Sequence, residues 1–100
     1  MESSTLYITL FGETAKVRWS ELAQLFSGGA LLHIASHLDL VSVAEAIASD
    51  NTEQVSHWAS TGALEKMSAE CGMAYAARDA TLWAVVVSPW VLVQQRDDVA

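Results

Sequence analysis

The chain has 100 residues, 52% apolar and 17% charged, a balance that fits one folded domain with a single core and excludes disorder, which needs low hydrophobicity and high charge. Its formal net charge is −7, and the five basic residues (Lys16, Arg18, Lys66, Arg78 and Arg96) are scattered. No basic patch is available to neutralise a row of phosphates or an anionic lipid surface, so neither nucleic acid nor membrane is expected as a partner.

Met1-Glu2-Ser3-Ser4-Thr5 lacks the basic start of a secretory signal. The longest apolar stretch falls short of the roughly 20 residues a bilayer-spanning helix requires. Cys71 is the single cysteine, so no internal disulfide forms, which suits a reducing cytoplasm. No repeat or Pro/Gly/Ser linker divides the chain. Residues 1–100 are expected to form one globular domain, with 96–100 as a loose tail.

Residues 4–11 leave two readings open. Leu6, Leu10 and Phe11 suit a helical face, while Thr5, Tyr7, Ile8 and Thr9 have strand character. Gly12 ends the segment. Ala15-Lys16-Val17-Arg18-Trp19 alternates as a half-buried strand does. Ser20 is then the expected N-cap of a short helix, with Glu21 in its first turn, a buried stripe of Leu22, Leu25 and Phe26, and Gly28-Gly29 as its stop.

Ala30 to Ala35 reads as a second strand, and Asp39 as the N-cap of a helix over 40–49 with Leu40, Val43, Ala44 and Ile47 on one face. Asp50-Asn51 breaks it. Asn51 with Gln54 has capping-box spacing for a further helix that turns Val55, Trp58 and Ala59 inward, and Gly62 follows where a terminal glycine belongs. Ala63 to Met67 suits a short strand, and Ser68 caps a helix over roughly 69–78.

Leu82 to Val93 is the structural centre. Its β-branched and aromatic residues favour strand, and its near-continuous apolarity implies that both faces are covered. Pro89 has no N–H to give a ladder, which predicts a bend or bulge at Ser88-Pro89 within one strand. The expected fold is therefore α+β: a small sheet of three to four strands, the bent C-terminal strand central, packed by three to four short helices.

Several stretches resemble a bacterial family designated domain of unknown function 2288 (DUF2288). They are Gly12-Glu13-Thr14-Ala15 with Trp19-Ser20-Glu21-Leu22, Leu38-Asp39-Leu40-Val41 with Val43-Ala44, and Asp50-Asn51-Thr52 with Val55 and Trp58. Trp83-Ala84-Val85-Val86-Val87 and Pro89-Trp90-Val91-Leu92-Val93-Gln94 complete the set, the latter being the most specific. The resemblance implies a small bacterial cytoplasmic protein and brings no activity. One departure is visible: the family's polar turn with Asp-Pro before Leu-Asp-Leu is replaced here by Ala35-Ser36-His37, which sets the histidines outside the family pattern.

His33 and His37 have the i, i+4 spacing of a two-histidine metal site on a helix, with Asp39 as a third ligand. The region reads as strand and turn, so one strand histidine and one loop histidine is the weightier reading. Asp39, Glu45, Asp50 and Glu53 suggest paired carboxylates for acid/base work or a hard cation. Asp39 and Asn51 already serve as caps, however, and Glu45 lies opposite the apolar stripe, facing water. Cys71 has no neighbouring base in sequence and reads as a small core residue. No nucleophile elbow or phosphate loop exists.

Four tryptophans remain: Trp19, Trp58, Trp83 and Trp90. Core filling is the default reading, but tryptophan is also enriched at interface hot spots. Regular alternation would set Trp83 and Trp90 on opposite faces, and a one-residue bulge would bring them together. The sequence thus leads to a non-catalytic protein-interaction or homo-oligomeric protein, its contact surface carrying Trp58, Trp83 and Trp90, with no catalytic residue and no cofactor. The alternative is a metal- or metabolite-binding protein or enzyme built on His33, His37 and Asp39.

Overall fold

A computed structural model describes residues 5–95; the expected tail at 96–100 lies outside them. Among the described residues the fold is α+β, with five helices and five strands in one mixed sheet. That is one more of each than the larger number expected, and both additions have a local cause.

The extra helix is α1, Thr5–Glu13. Leu10 is buried, and Leu6 and Tyr7 pack beside it, so tertiary packing outweighs the strand propensity of Thr5, Ile8 and Thr9. Two hydroxyls find partners within reach: Thr9 Oγ1 donates to the Thr5 carbonyl at 3.0 Å and Thr14 Oγ1 to that of Leu10 at 2.8 Å.

The extra strand comes from the C-terminal segment, which is a hairpin and not one bent strand. β4, Thr81–Val87, turns at Ser88-Pro89, whose peptide bond is cis, and returns as β5, Trp90–Gln94. A proline in a two-residue turn need not supply a ladder hydrogen bond, whereas within a strand it would break one. Val87 pairs with Trp90 and Trp83 with Gln94. Trp83 and Trp90 therefore share a face through reversal of the chain, without a bulge.

The remaining strands are β1 (Ala15–Arg18), β2 (Leu31–Ile34) and β3 (Leu64–Lys66), and the sheet order is β1-β4-β5-β2-β3. β5 is central, as expected; it runs parallel to β2, and the other pairs are antiparallel. Helices cover both faces: α3 (Leu40–Ala48) and α4 (Thr52–Ser60) join α1 on one, and α2 (Trp19–Ser27) and α5 (Ala69–Ala77) lie on the other. Alternation divides each strand between two cores. Val85, Val87 and Leu92 enter the first, with Leu10, Leu40 and Val43; Leu82, Val91 and Val93 enter the second, with Trp19, Leu22 and Tyr75. This double coverage explains the unbroken apolar run.

Local starts and stops mostly follow the predicted residues. Asp39, Asn51 and Ser68 cap α3, α4 and α5 with their side chains. Gly62, at φ +79, ends α4 where a Cβ would be strained. Helix α2 differs, beginning at Trp19, ahead of the expected cap Ser20. Its start is held by carboxylates: Glu21 accepts the Arg18 N–H at 3.3 Å, while Asp79, distant in sequence, accepts the Ser20 N–H at 3.1 Å and the Arg18 guanidinium at 2.6 Å. A tertiary partner has replaced a local one.

Two orientations also differ. Ala59 is exposed, while Val55 and Trp58 turn to the core. Leu25 sits at the exposed edge of its helix, unlike buried Leu22. Helices α2 and α5 meet closely at Gly72, where an added Cβ would lie 2.4 Å from the Phe26 ring.

Candidate functional site

The histidine–carboxylate trio does not converge. Strand alternation turns His33 toward α5, where its Nε2 lies 2.9 Å from the Tyr75 hydroxyl. His37 stands exposed in the turn after β2. Asp39 caps α3 on the opposite face, Oδ1 accepting the Val41 N–H at 3.3 Å and Oδ2 accepting the Ser42 hydroxyl at 2.8 Å and the Tyr7 hydroxyl at 2.7 Å. Its two oxygens are committed to joining α1 to α3. Among the described residues, no three of His, Cys, Asp and Glu are placed to hold a metal ion.

The other carboxylates are dispersed. Asp50 takes a left-handed conformation, φ 61, at the end of α3, and Glu53 is exposed in the first turn of α4. Glu45 is half-buried, contrary to the expectation that it faces water, and lines a hollow with Leu6, Ser42 and Trp58. Helix α4 crosses beside α3 and covers it.

Tyr75 is the centre of a polar grouping that sequence spacing did not suggest. Residues 33, 75 and 95 are far apart in the chain, and only the packing of α5 over β2 joins them. The buried phenol donates to Gln95 Oε1 at 3.3 Å as well as meeting His33. Having one proton, it serves one of these acceptors at a time, and the tautomer of His33 follows. Burial, and then the Cys71 thiol one turn earlier on α5, push the phenol pKa up to about 12, against the opposing influence of Arg78. Burial likewise lowers the His33 pKa from 6.5, opposed by Glu65 directly across the β2–β3 pair.

At neutral pH the pair is thus a neutral imidazole and a protonated phenol lining, with Ser36 and Gln95, a hollow of about 180 Å³. Such a pair holds α5 to β2 and contains no activated nucleophile. Its titration has a sign. The unfolded chain protonates His33 at its ordinary value and the folded chain only below it, so stability is retained above 6.5 and declines as pH falls beneath that value. Urea denaturation on either side of 6.5 should show this loss reduced in His33→Gln; an equal acid loss in both proteins would assign it elsewhere.

Trp58, Trp83 and Trp90, expected to form a contact surface, are half-buried against the first core, and Lys16 Nζ stands 5.4 Å from the Trp83 ring centroid. The broader apolar opening is on the other face, where α2 leaves part of the sheet uncovered. Val17, Ala84, Val86 and Val91 meet Leu22 and Leu25 in a groove of about 240 Å³, with Glu13 and Glu21 also lining it. Val86 is 58% exposed and Leu25 37%. The available signal was alternation: Leu82, Ala84 and Val86 share a face that only two short helices cover.

The model of a family described as protein of unknown function (DUF2288) matches residues 5–95. No curated protein matches the chain. The chain is similar to the NMR solution structure of PA1075 from Pseudomonas aeruginosa, at 49% identity and a TM-score of 0.82, covering 99% of this chain and 92% of that one. No helix among the described residues is long and apolar enough to cross a membrane.

Proposed function

The chain belongs to the DUF2288 family, and from that premise, which supplies a fold without a chemistry, we propose a small non-catalytic protein that acts by self-association. The observation that carries this reading is the apolar groove between α2 and β4, with Val86 and Leu25 left open to solvent. Exposed apolar surface gathered in a concave patch is a feature of contact sites, whereas single scattered residues are ordinary. The polar hollow at Tyr75 carries the weaker case, because the His33 Nε2 there is taken up by the Tyr75 hydroxyl at 2.9 Å. Likeness to a Pseudomonas aeruginosa protein supports a bacterial setting, and the single cysteine supports a reducing cytoplasm.

Size-exclusion chromatography with light scattering tests the reading. The expected mass at high micromolar concentration is a multiple of the 10.8 kDa chain. A strict monomer throughout would overturn it.

A further inference from the structure

We propose that protonation of His33 is a switch that moves the Tyr75 hydroxyl bond from β2 to Gln95, so that the chain leaving β5 is latched to α5 in acid and released at neutral pH.

One proton stands between two acceptors. Tyr75 is buried, and its hydroxyl oxygen lies 2.9 Å from His33 Nε2 and 3.3 Å from Gln95 Oε1. The second distance exceeds the usual range of about 2.5–3.0 Å for a hydroxyl donating to oxygen. With a neutral imidazole the phenol proton therefore sits on the His33 side, and the ring carries its own hydrogen on Nδ1. Gln95 is then the acceptor left over.

An imidazolium has hydrogen on both nitrogens and accepts nothing. Once His33 takes a proton from solvent, its Nε2–H donates to the phenol oxygen, and the phenol O–H must turn about its C–O bond to another acceptor. Gln95 Oε1 is the carbonyl within reach, whereas the Cys71 thiol, one turn earlier on α5, is a weak acceptor. No bond of the phenol breaks. The half-buried ring borders, with Ser36, the hollow of about 180 Å³, through which solvent reaches it.

Among the described residues, the charged and titratable groups facing the pair are Glu65 from β3, directly opposite His33, and Cys71 and Arg78 from α5. The neighbour of His33 on β5 is the uncharged Val93. Glu65 favours the added charge, but burial opposes it more strongly, so the latch closes below 6.5. Gln94, one residue earlier, reaches the β2–α3 turn through Ala35 and Leu38. The end of β5 is thus held on one face by an amide that does not titrate and on the other by a bond that follows His33.

NMR on the isotopically labelled full chain, carried from above pH 6.5 to well below it, tests the switch. The His33 ring is expected in its Nδ1–H form at neutral pH, and the Gln95 side-chain amide signals should shift with the same midpoint as that ring. In Tyr75→Phe, which keeps the aromatic ring and removes the hydroxyl, His33 should still titrate while the Gln95 shift is lost. In His33→Gln the Gln95 signals should stay level. That variant leaves in place the titration of His37 in the neighbouring turn and of Asp97 and Asp98 beyond Gln95 in sequence, so it separates their influence from that of His33. A Gln95 amide that ignores His33, a shift that survives in either variant, or a neutral ring with its hydrogen on Nε2 overturns the proposal.

Discussion

Replacing Gln94 by leucine is expected to lower the unfolding free energy by about 1–3 kcal/mol, despite a near match in size. Gln94 ends β5 and is fully buried. Its Nε2 donates to the Ala35 carbonyl at 2.8 Å and to the Leu38 carbonyl at 2.7 Å. Both acceptors lie in the turn between β2 and α3, beyond the strand ladder. Leucine removes both donors; the Ala35 carbonyl keeps the Leu38 N–H at 3.1 Å, and the Leu38 carbonyl loses the amide. Each such loss is typically about 1–3 kcal/mol, while deletion of a matched pair costs little. Urea denaturation checks this directly: a loss under about 1 kcal/mol would mean that water or relaxation of the turn replaces the amide.

Leu92→Ala is expected to cost about 3–5 kcal/mol, the upper part of the range for buried leucine truncation. That range is wide because sites differ in how far they collapse around the missing atoms. Leu92 has little freedom to do so. It is fully buried in the central strand, opposite Val85 on one side and Leu32 on the other, within the first core that α3 and α1 cover. Val86→Ala, one strand away on a 58% exposed side chain, provides the comparison and should change stability by no more than about 0.5 kcal/mol. Equal losses in the two variants would contradict the division between a closed face and an open one.

Much of this architecture was legible because the relevant signals are local. Asp39, Asn51 and Ser68 each announce a helix start, since a short polar side chain can bond an amide two or three residues ahead. The continuous apolar run from Leu82 correctly implied coverage on both faces. What the residues did not reveal depends on partners far away in the chain. Asp79 reaches Ser20 only after β4 has paired with β1, so the true start of α2 has no local mark. Ser88-Pro89 was readable as a break in pairing, yet a bulge and a reversal interrupt the pattern alike; the antiparallel register decides between them.

The candidate sites divide in the same way. The spacing of His33 and His37 suggested a shared ion because that arithmetic belongs to a helix, and on β2 and its turn it has no such consequence. Tyr75 had no motif around it; its hydrogen bond to His33 spans 42 positions. The apolar groove was hidden for another reason. Hydropathy marks Val86 as core, and only the limited reach of α2 across the sheet leaves that side chain in solvent.

The parallel pairing of β5 with β2 constrains the order in which a nascent chain becomes a folded one. Since β5 stands between β4 and β2, the ribosome must release the chain through Gln94 before the two halves of the sheet have anything to join them. Until then β2 and β3 on one side, and β1 with β4 on the other, present unpaired edges and apolar faces to solvent. Local contacts can form helices early, but the long-range closure waits for the last strand to emerge. Closure of this sheet therefore follows the appearance of β5, and the interval before it is when these residues are most open to aggregation or to capture by a chaperone.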